Sequence, residues 1–329
     1  MPGPQKTYWH LAPARRIPSD YEIGTSRLLY YVARGGFEVD LPTGAWYRRH
    51  QTGSPLSCGG RWELFEAFED PRATTYGSYV RLQRDQEAYT ARTLDPTRLA
   101  PHDAGLPDAW VNLLERALPP FRFLGHGLQM LAAYLGQMAP SGRVAVTAAM
   151  QAADEVRRIH AIAYRMGTLR RRVPRFGDGS RDAWQSDPAW QPLRTVVERL
   201  LVTYDWGEAL VALNLCVKPA VDELFTTRLA LFAEGQGDYP DAQWLRSLGE
   251  DCAWHRAWTT RLLRLLVDSD PGARSAVTEW VGRWKPLAEE AVLGLATAVD
   301  PSGRWDGSAA ARTAGTLAAT VLEGGRDAA

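Results

Sequence analysis

The chain has 329 residues, 38 basic and 38 acidic side chains, and 45% hydrophobic residues, enough to bury a large core. Balanced charge excludes the basic footprint of a nucleic-acid binder and offers nothing to an anionic membrane. The most apolar stretches, residues 210–217 and 262–267, are far shorter than a membrane span. The opening MPGPQKTYWH has no apolar core of a signal peptide, and Cys58, Cys216 and Cys252 form no CxxC pair. Both features point to a cytoplasmic protein with reduced thiols. Its 13 tryptophans suit a core and a protein interface equally, so composition leaves both readings open.

Residues 1–75 lack helical periodicity and carry Pro2, Pro4, Pro13, Pro18, Pro42 and Pro55, yet aromatics crowd the interval from Tyr8 to Tyr76. An irregular segment cannot bury so many rings by itself. Residues 1–75 are therefore expected as an extended arm packing on a partner subunit, with residues 76–329 as a helical domain. Residues 76–94 read as a helix. Residues 107–118 form another, with Pro107 and Asp108 in its first turn, and Pro119–Pro120 then break or kink the chain before 121–138. Ser141 is a candidate N-cap for a long helix over 142–171. Further helices are expected at 188–203, 206–234, 241–268, 272–298 and 308–322, punctuated by Gly235, Gly237, Asp270–Pro271 and Asp300–Pro301. No alternating β-branched run interrupts them. The expectation is all-α, with helices near thirty residues and roughly 45 Å long, the proportions of a long-helix bundle.

Long inward-facing helices suit a carboxylate-bridged dimetal site, which needs Glu from two helices and Glu-x-x-His from two more. Three residues before His10, His50, His102, His126, His160 and His255 stand Thr7, Tyr47, Leu99, Phe123, Arg157 and Cys252. None is an acid, so the motif is absent. Asp251 and His255, at i and i+4, read more simply as a hydrogen-bonded pair than as metal ligands. There is no GxSxG, GxGxxG or phosphate loop. The sequence has the skeleton of a metal bundle without its ligands.

Five segments carry a resemblance: KTYWHLA (6–12), RRIPSDYEI (15–23), QMAP (137–140), DWGEALVALNLCVKP (205–219) and RWKPLAEEA (283–291). In order and spread they resemble the β subunit of the hydroxylase component of bacterial multicomponent diiron monooxygenases, of the toluene, alkene and isoprene type. The resemblance implies a ferritin-like fold and a non-catalytic place in an (αβγ)₂ hydroxylase whose diiron centre lies in the α subunit. It implies a small γ subunit, an effector protein, a Rieske ferredoxin and an NADH-dependent reductase as further components, with O₂ inserted into aromatic or alkene hydrocarbons. No catalytic, cofactor or metal residue is expected in this chain.

Matched to the α-chain pattern, Glu155 and Arg158 stand at the first ligand pair, Glu208 at the helical Glu, and Asp251 and Trp254 at the second pair. Arg158 and Trp254 would replace the two imidazoles, and neither can bind iron. These vestigial positions are expected to gather in the interior, with Arg158 compensating the acids. The alternatives are a self-contained metal-dependent oxidase and a helical adaptor. The hydrocarbon is not legible here, because its pocket would lie in α.

Overall fold

The computed structural model describes residues 19–25 and 42–323, and among the described residues every regular element is helical. Helices α1 (Asp20–Thr25), α2 (Pro42–Tyr47) and α3 (Trp62–Ala67) are short. Then come α4 (Tyr76–Thr93), α5 (Pro96–Gly105), α6 (Asp108–Met138), α7 (Gly142–Leu169), α8 (Ser180–Ser186) and α9 (Gln191–Leu201). A rod follows in five continuous pieces: α10 (Trp206–Leu210), a π segment (Val211–Val217), α11 (Lys218–Asp222), a second π segment (Glu223–Arg228) and α12 (Leu229–Gly235). Helices α13 (Tyr239–Ser269), α14 (Pro271–Val299) and α15 (Gly307–Glu323) complete the bundle. This is the expected all-α long-helix bundle. No described helix is long and apolar enough to cross a membrane.

The rod is the bundle's axis. Every residue from 209 to 222 is buried, as the apolar run ALVALNLCV requires: a helix hydrophobic all round must be covered all round. Helices α6, α13, α14 and α15 supply the cover. Caps follow the polar residues that precede each helix. Ser141 Oγ accepts from Val144 N at 3.4 Å, and Asp205 and Asp270 each accept two backbone N–H groups. Gly237, at φ +77°, reverses the chain between α12 and α13.

The expected break at Pro119–Pro120 does not occur, and α6 runs straight through both prolines. Proline at 120 removes the amide that would satisfy the carbonyl four residues back, on Arg116. The indole of Trp190 donates to that carbonyl instead, at 3.2 Å. The other deeply buried indoles are satisfied likewise: Trp206 donates to Gln51 O, Trp258 to Gln151 Oε1 and Trp305 to Leu224 O. Six tryptophans are among the largest fully buried side chains, so tryptophan serves the core first.

The second half of the arm belongs to the domain as well. Tyr47, Leu56, Phe65 and Phe68 are buried in the common core. Gln51 donates to the carbonyls of Met138 and Ala139, and Arg61 reaches Ser269 O and Asp270. Residues 42–75 are thus tied to α6, α10 and α14, which moves the boundary expected at 75 toward the N-terminus. Of the aromatics on which partner docking was expected, Tyr8, Trp9, Tyr30 and Tyr31 lie outside the described residues, Tyr47 is buried in this chain's own core and Trp46 packs edge-on against Tyr204 at 4.8 Å.

Candidate functional site

Helix α7 places Glu155 and Arg158 one turn apart on its inner face, and both are buried. Across from them, α11 contributes Lys218 and Asp222, again one turn apart. Arg158 Nη1 donates to Asp222 Oδ1 at 2.6 Å and lies 3.8 Å from Glu155 Oε2. Lys218 Nζ is 3.0 Å from Asp222 and forms an ion pair with Glu155 Oε1. Its fourth side is α6, where the Phe121 ring lies 4.5 Å from the Arg158 guanidinium. From α13 come Cys252 and His255, spaced i, i+3; their ligand atoms and those of Asp222 lie within 4.8 Å of one another. Two acids and two cations therefore close a four-helix constellation with no net charge.

The protonation states follow. Burial works against Arg158 and Lys218, but Asp222 and Glu155 outweigh it and both cations are held above their ordinary values. Burial would raise Asp222, yet Lys218 and Arg158 hold it well below the usual carboxylate range. The Cys252 thiol is pushed up to about 12 by burial and by Asp222, so it stays protonated. Burial and the charge of Lys218 bring His255 down to about 3, so it is a neutral imidazole.

This donor set does not fit a diiron centre. Hard cations need several free carboxylates and two imidazoles; here both acids are already ion-paired, one imidazole is present, and two fixed positive charges stand where metal would sit. A single dication on Asp222, Cys252 and His255 meets the same repulsion and a protonated thiol.

The residues singled out from sequence are divided between four places. Glu155 and Arg158 join this cluster. Glu208 does not: it sits in the first turn of α10, where it accepts from Arg283 (2.8 Å) and Trp284 (2.9 Å) of α14. Asp222, fourteen residues further along the same rod, takes the interior place. Asp251 is one residue off register with Cys252. It pairs with Arg157 and accepts from Gln83 at 3.3 Å. Trp254 is off by one from His255 and faces the loop before α4, donating to Asp70 at 2.6 Å. His255 Nε2 lies 3.0 Å from Asp154, which also accepts from Tyr79 and Gln83. The missed residues had a signal: Lys218 and Asp222 are i, i+4 in an otherwise apolar run, and Cys252-x-x-His255 keeps the Glu-x-x-His spacing.

A second buried cluster lies further along α7. Arg165, fully buried, forks onto Asp103 at 2.7 and 2.9 Å, and its Nε is 2.6 Å from Asp241. Asp238 is 3.8 Å away and is held by Trp110 (2.8 Å) and by His102 (3.0 Å). Burial drives Asp241 up to about 7 against the pull of Arg165, helped by the negative neighbour Asp238.

The outer side of α7 is the reverse of its inner side. Asp154, Glu155, Arg157, Arg158 and Arg165 are all buried, while Ala149, Val156, His160, Tyr164 and Gly167 face outward. On neighbouring α6 the outward residues beyond Phe121 are His126, Met130, Ala133 and Gln137. No fixed charge is exposed across this stretch.

A profile of the family described as Methane/Phenol/Alkene Hydroxylase matches residues 46–270. The toluene-4-monooxygenase system hydroxylase component subunit beta of Ectopseudomonas mendocina is 33% identical over 295 residues, 88% of each chain. The propane 2-monooxygenase hydroxylase component small subunit of Rhodococcus jostii is 30% identical over 195 residues, covering 58% of this chain and 53% of the relative. In a solved structure of toluene 4-monooxygenase with toluene in its resting active site, one chain matches with TM-score 0.83 and 31% identity, covering 90% of this chain and 98% of that one.

Proposed function

This chain belongs to the methane/phenol/alkene hydroxylase family as a non-catalytic β-type subunit of a hydrocarbon hydroxylase, and from that premise we propose that it is the iron-free scaffold of the assembly. The catalytic α subunit would hold the diiron centre, with a γ subunit, effector protein, Rieske ferredoxin and reductase completing a cytoplasmic system that oxidises arenes or alkenes. Glu155, Arg158, Lys218, Asp222, Cys252 and His255 occupy the vestigial site, and the role of each is structural. Arg158 and Lys218 supply inside the bundle the positive charge that metal ions would otherwise supply.

The observation that carries this reading is the inversion of α7. A helix that buries every fixed charge of its middle turns and presents Val156 (37% exposed) and Tyr164 (45% exposed) outward is built to be covered on both sides. The α6–α7 face is therefore assigned to the α subunit. Co-expression with the α chain tests both claims. Iron should travel with α, and α should be lost when Val156 and Tyr164 are replaced together by Glu. Near-stoichiometric iron on the isolated chain, or full α retention by the double variant, would overturn the corresponding half.

A further inference from the structure

Helices α13 and α15 enclose two adjoining depressions of about 570 and 380 Å³ that share Arg256 and Leu317. Five arginines line them, Arg228, Arg256, Arg261, Arg264 and Arg312, and among the described residues no acid does. In a chain of zero net charge this is a strong local bias. Arg228 has Glu223 at 2.7 Å, and Arg261 has Glu69 at 3.9 Å. Arg264 donates only to the carbonyl of Thr320, and Arg256 and Arg312 make no ion pair among the described residues. Arg264 and Arg312 are thus left without a counter-charge along one groove, and Arg256 has only the buried Asp222 within range.

We infer that this groove docks an acidic helix from another component of the hydroxylase system. The walls have a helix-sized relief: Ala253, Ala257, Ala309, Thr313 and Thr316 are small and fall at i, i+4 or i+7 on their helices, so a third backbone can approach closely. Arg256 and Arg264 are eight residues apart, about 12 Å along α13, too far for one small anion and well matched to carboxylates on successive turns of a partner helix. Each guanidinium presents a planar fork that suits a carboxylate. Among the described residues no aromatic side chain lines the groove, so bases would have nothing to stack on, which disfavours single-stranded nucleic acid. The identity of the system rests on the scaffold reading; the groove and its charge do not.

The test places a photo-crosslinking benzoylphenylalanine at exposed Thr316 of the full chain, co-expressed with the other components of its system. The expected adduct is a segment of another component with two or more Asp or Glu within three helical turns. Its yield should fall at least tenfold in the Arg256→Gln and Arg312→Gln variants, and fall with rising salt. Arg312 is exposed, so its variant keeps the test valid if Arg256→Gln folds poorly. An adduct to nucleic acid, to this chain itself or to a segment without acids overturns the proposal, as does no adduct, or an undiminished adduct in the folded variants. The α subunit should co-purify in the same preparation. Its absence from the wild-type preparation overturns the scaffold reading, separately from any outcome at the groove.

Discussion

Two buried ion clusters hang from α7, two turns apart, and they solve the same problem differently. Around Arg158, two acids meet two cations, and every charge has a partner. Around Arg165, three acids share one guanidinium and a half-exposed imidazole; burial drives Asp241 up to about 7, and the single Arg165, opposed by Asp238, does not offset it. Arg158, Lys218 and Asp222 hold their charges at all ordinary pH values, whereas the second cluster keeps a proton in play. Charge stoichiometry, more than burial, separates a permanent ionic core from a titratable one, since the carboxylates, guanidiniums and ammonium of both are almost wholly buried.

The largest expected effect comes from unbalancing the first cluster. Arg158→Met should cost on the order of 3–5 kcal/mol, because it strands Asp222 and Glu155 in the interior. Lys218→Met should cost a similar amount. Chemical denaturation with an unchanged m-value measures it. A loss below about 1 kcal/mol would reduce the cluster to the worth of a surface ion pair. Combining Lys218→Met with Asp222→Leu should cost less than the sum of the single changes, the mark of coupled charges.

The next effect is a pH dependence confined to the second cluster. The folded-state value of Asp241 lies above its ordinary 3.8, so the native protein binds this proton more tightly than the unfolded chain does. Its favourable contribution is complete below about pH 3.8 and is lost as pH rises toward about 7. Asp241→Asn keeps an oxygen for the Trp244 and Arg165 donors and removes the titrating charge. It should flatten this part of the pH–stability curve, with the variant gaining relative to wild type between pH 4 and 7. An identical slope in both proteins would show that Asp241 does not carry the proton.

The smallest effect on stability belongs to the outer side of the same helix. Tyr164→Glu should change the stability of the isolated chain by less than about 0.5 kcal/mol, the usual range for an exposed site. It should still weaken association with the α subunit. Destabilisation of the lone chain comparable to that of Arg158→Met would mean that the outer face matters to the fold itself.

Much of the architecture was legible from residue order. Residue order placed helical chain over 206–234, 241–268 and 272–298 and gave Ser141 its role as a cap. These are local matters, decided by the period of a helix or the reach of one hydroxyl. Legible too were Glu155 and Arg158 as interior partners, because a one-turn spacing fixes a shared face whatever surrounds it. What the tertiary structure alone decided is register and compensation. One residue is about 100° of helix rotation, enough to turn Asp251 and Trp254 away and bring Cys252 and His255 in. Glu208 and Asp222 lie on one rod, with Glu208 held by Arg283 and Trp284 of α14 while Asp222 is the one that reaches the interior cluster. The continuity of α6 through two prolines depends on an indole from α9's N-terminal flank, seventy-four residues away in the chain. Such outcomes rest on contacts between distant segments, whose geometry no local spacing encodes.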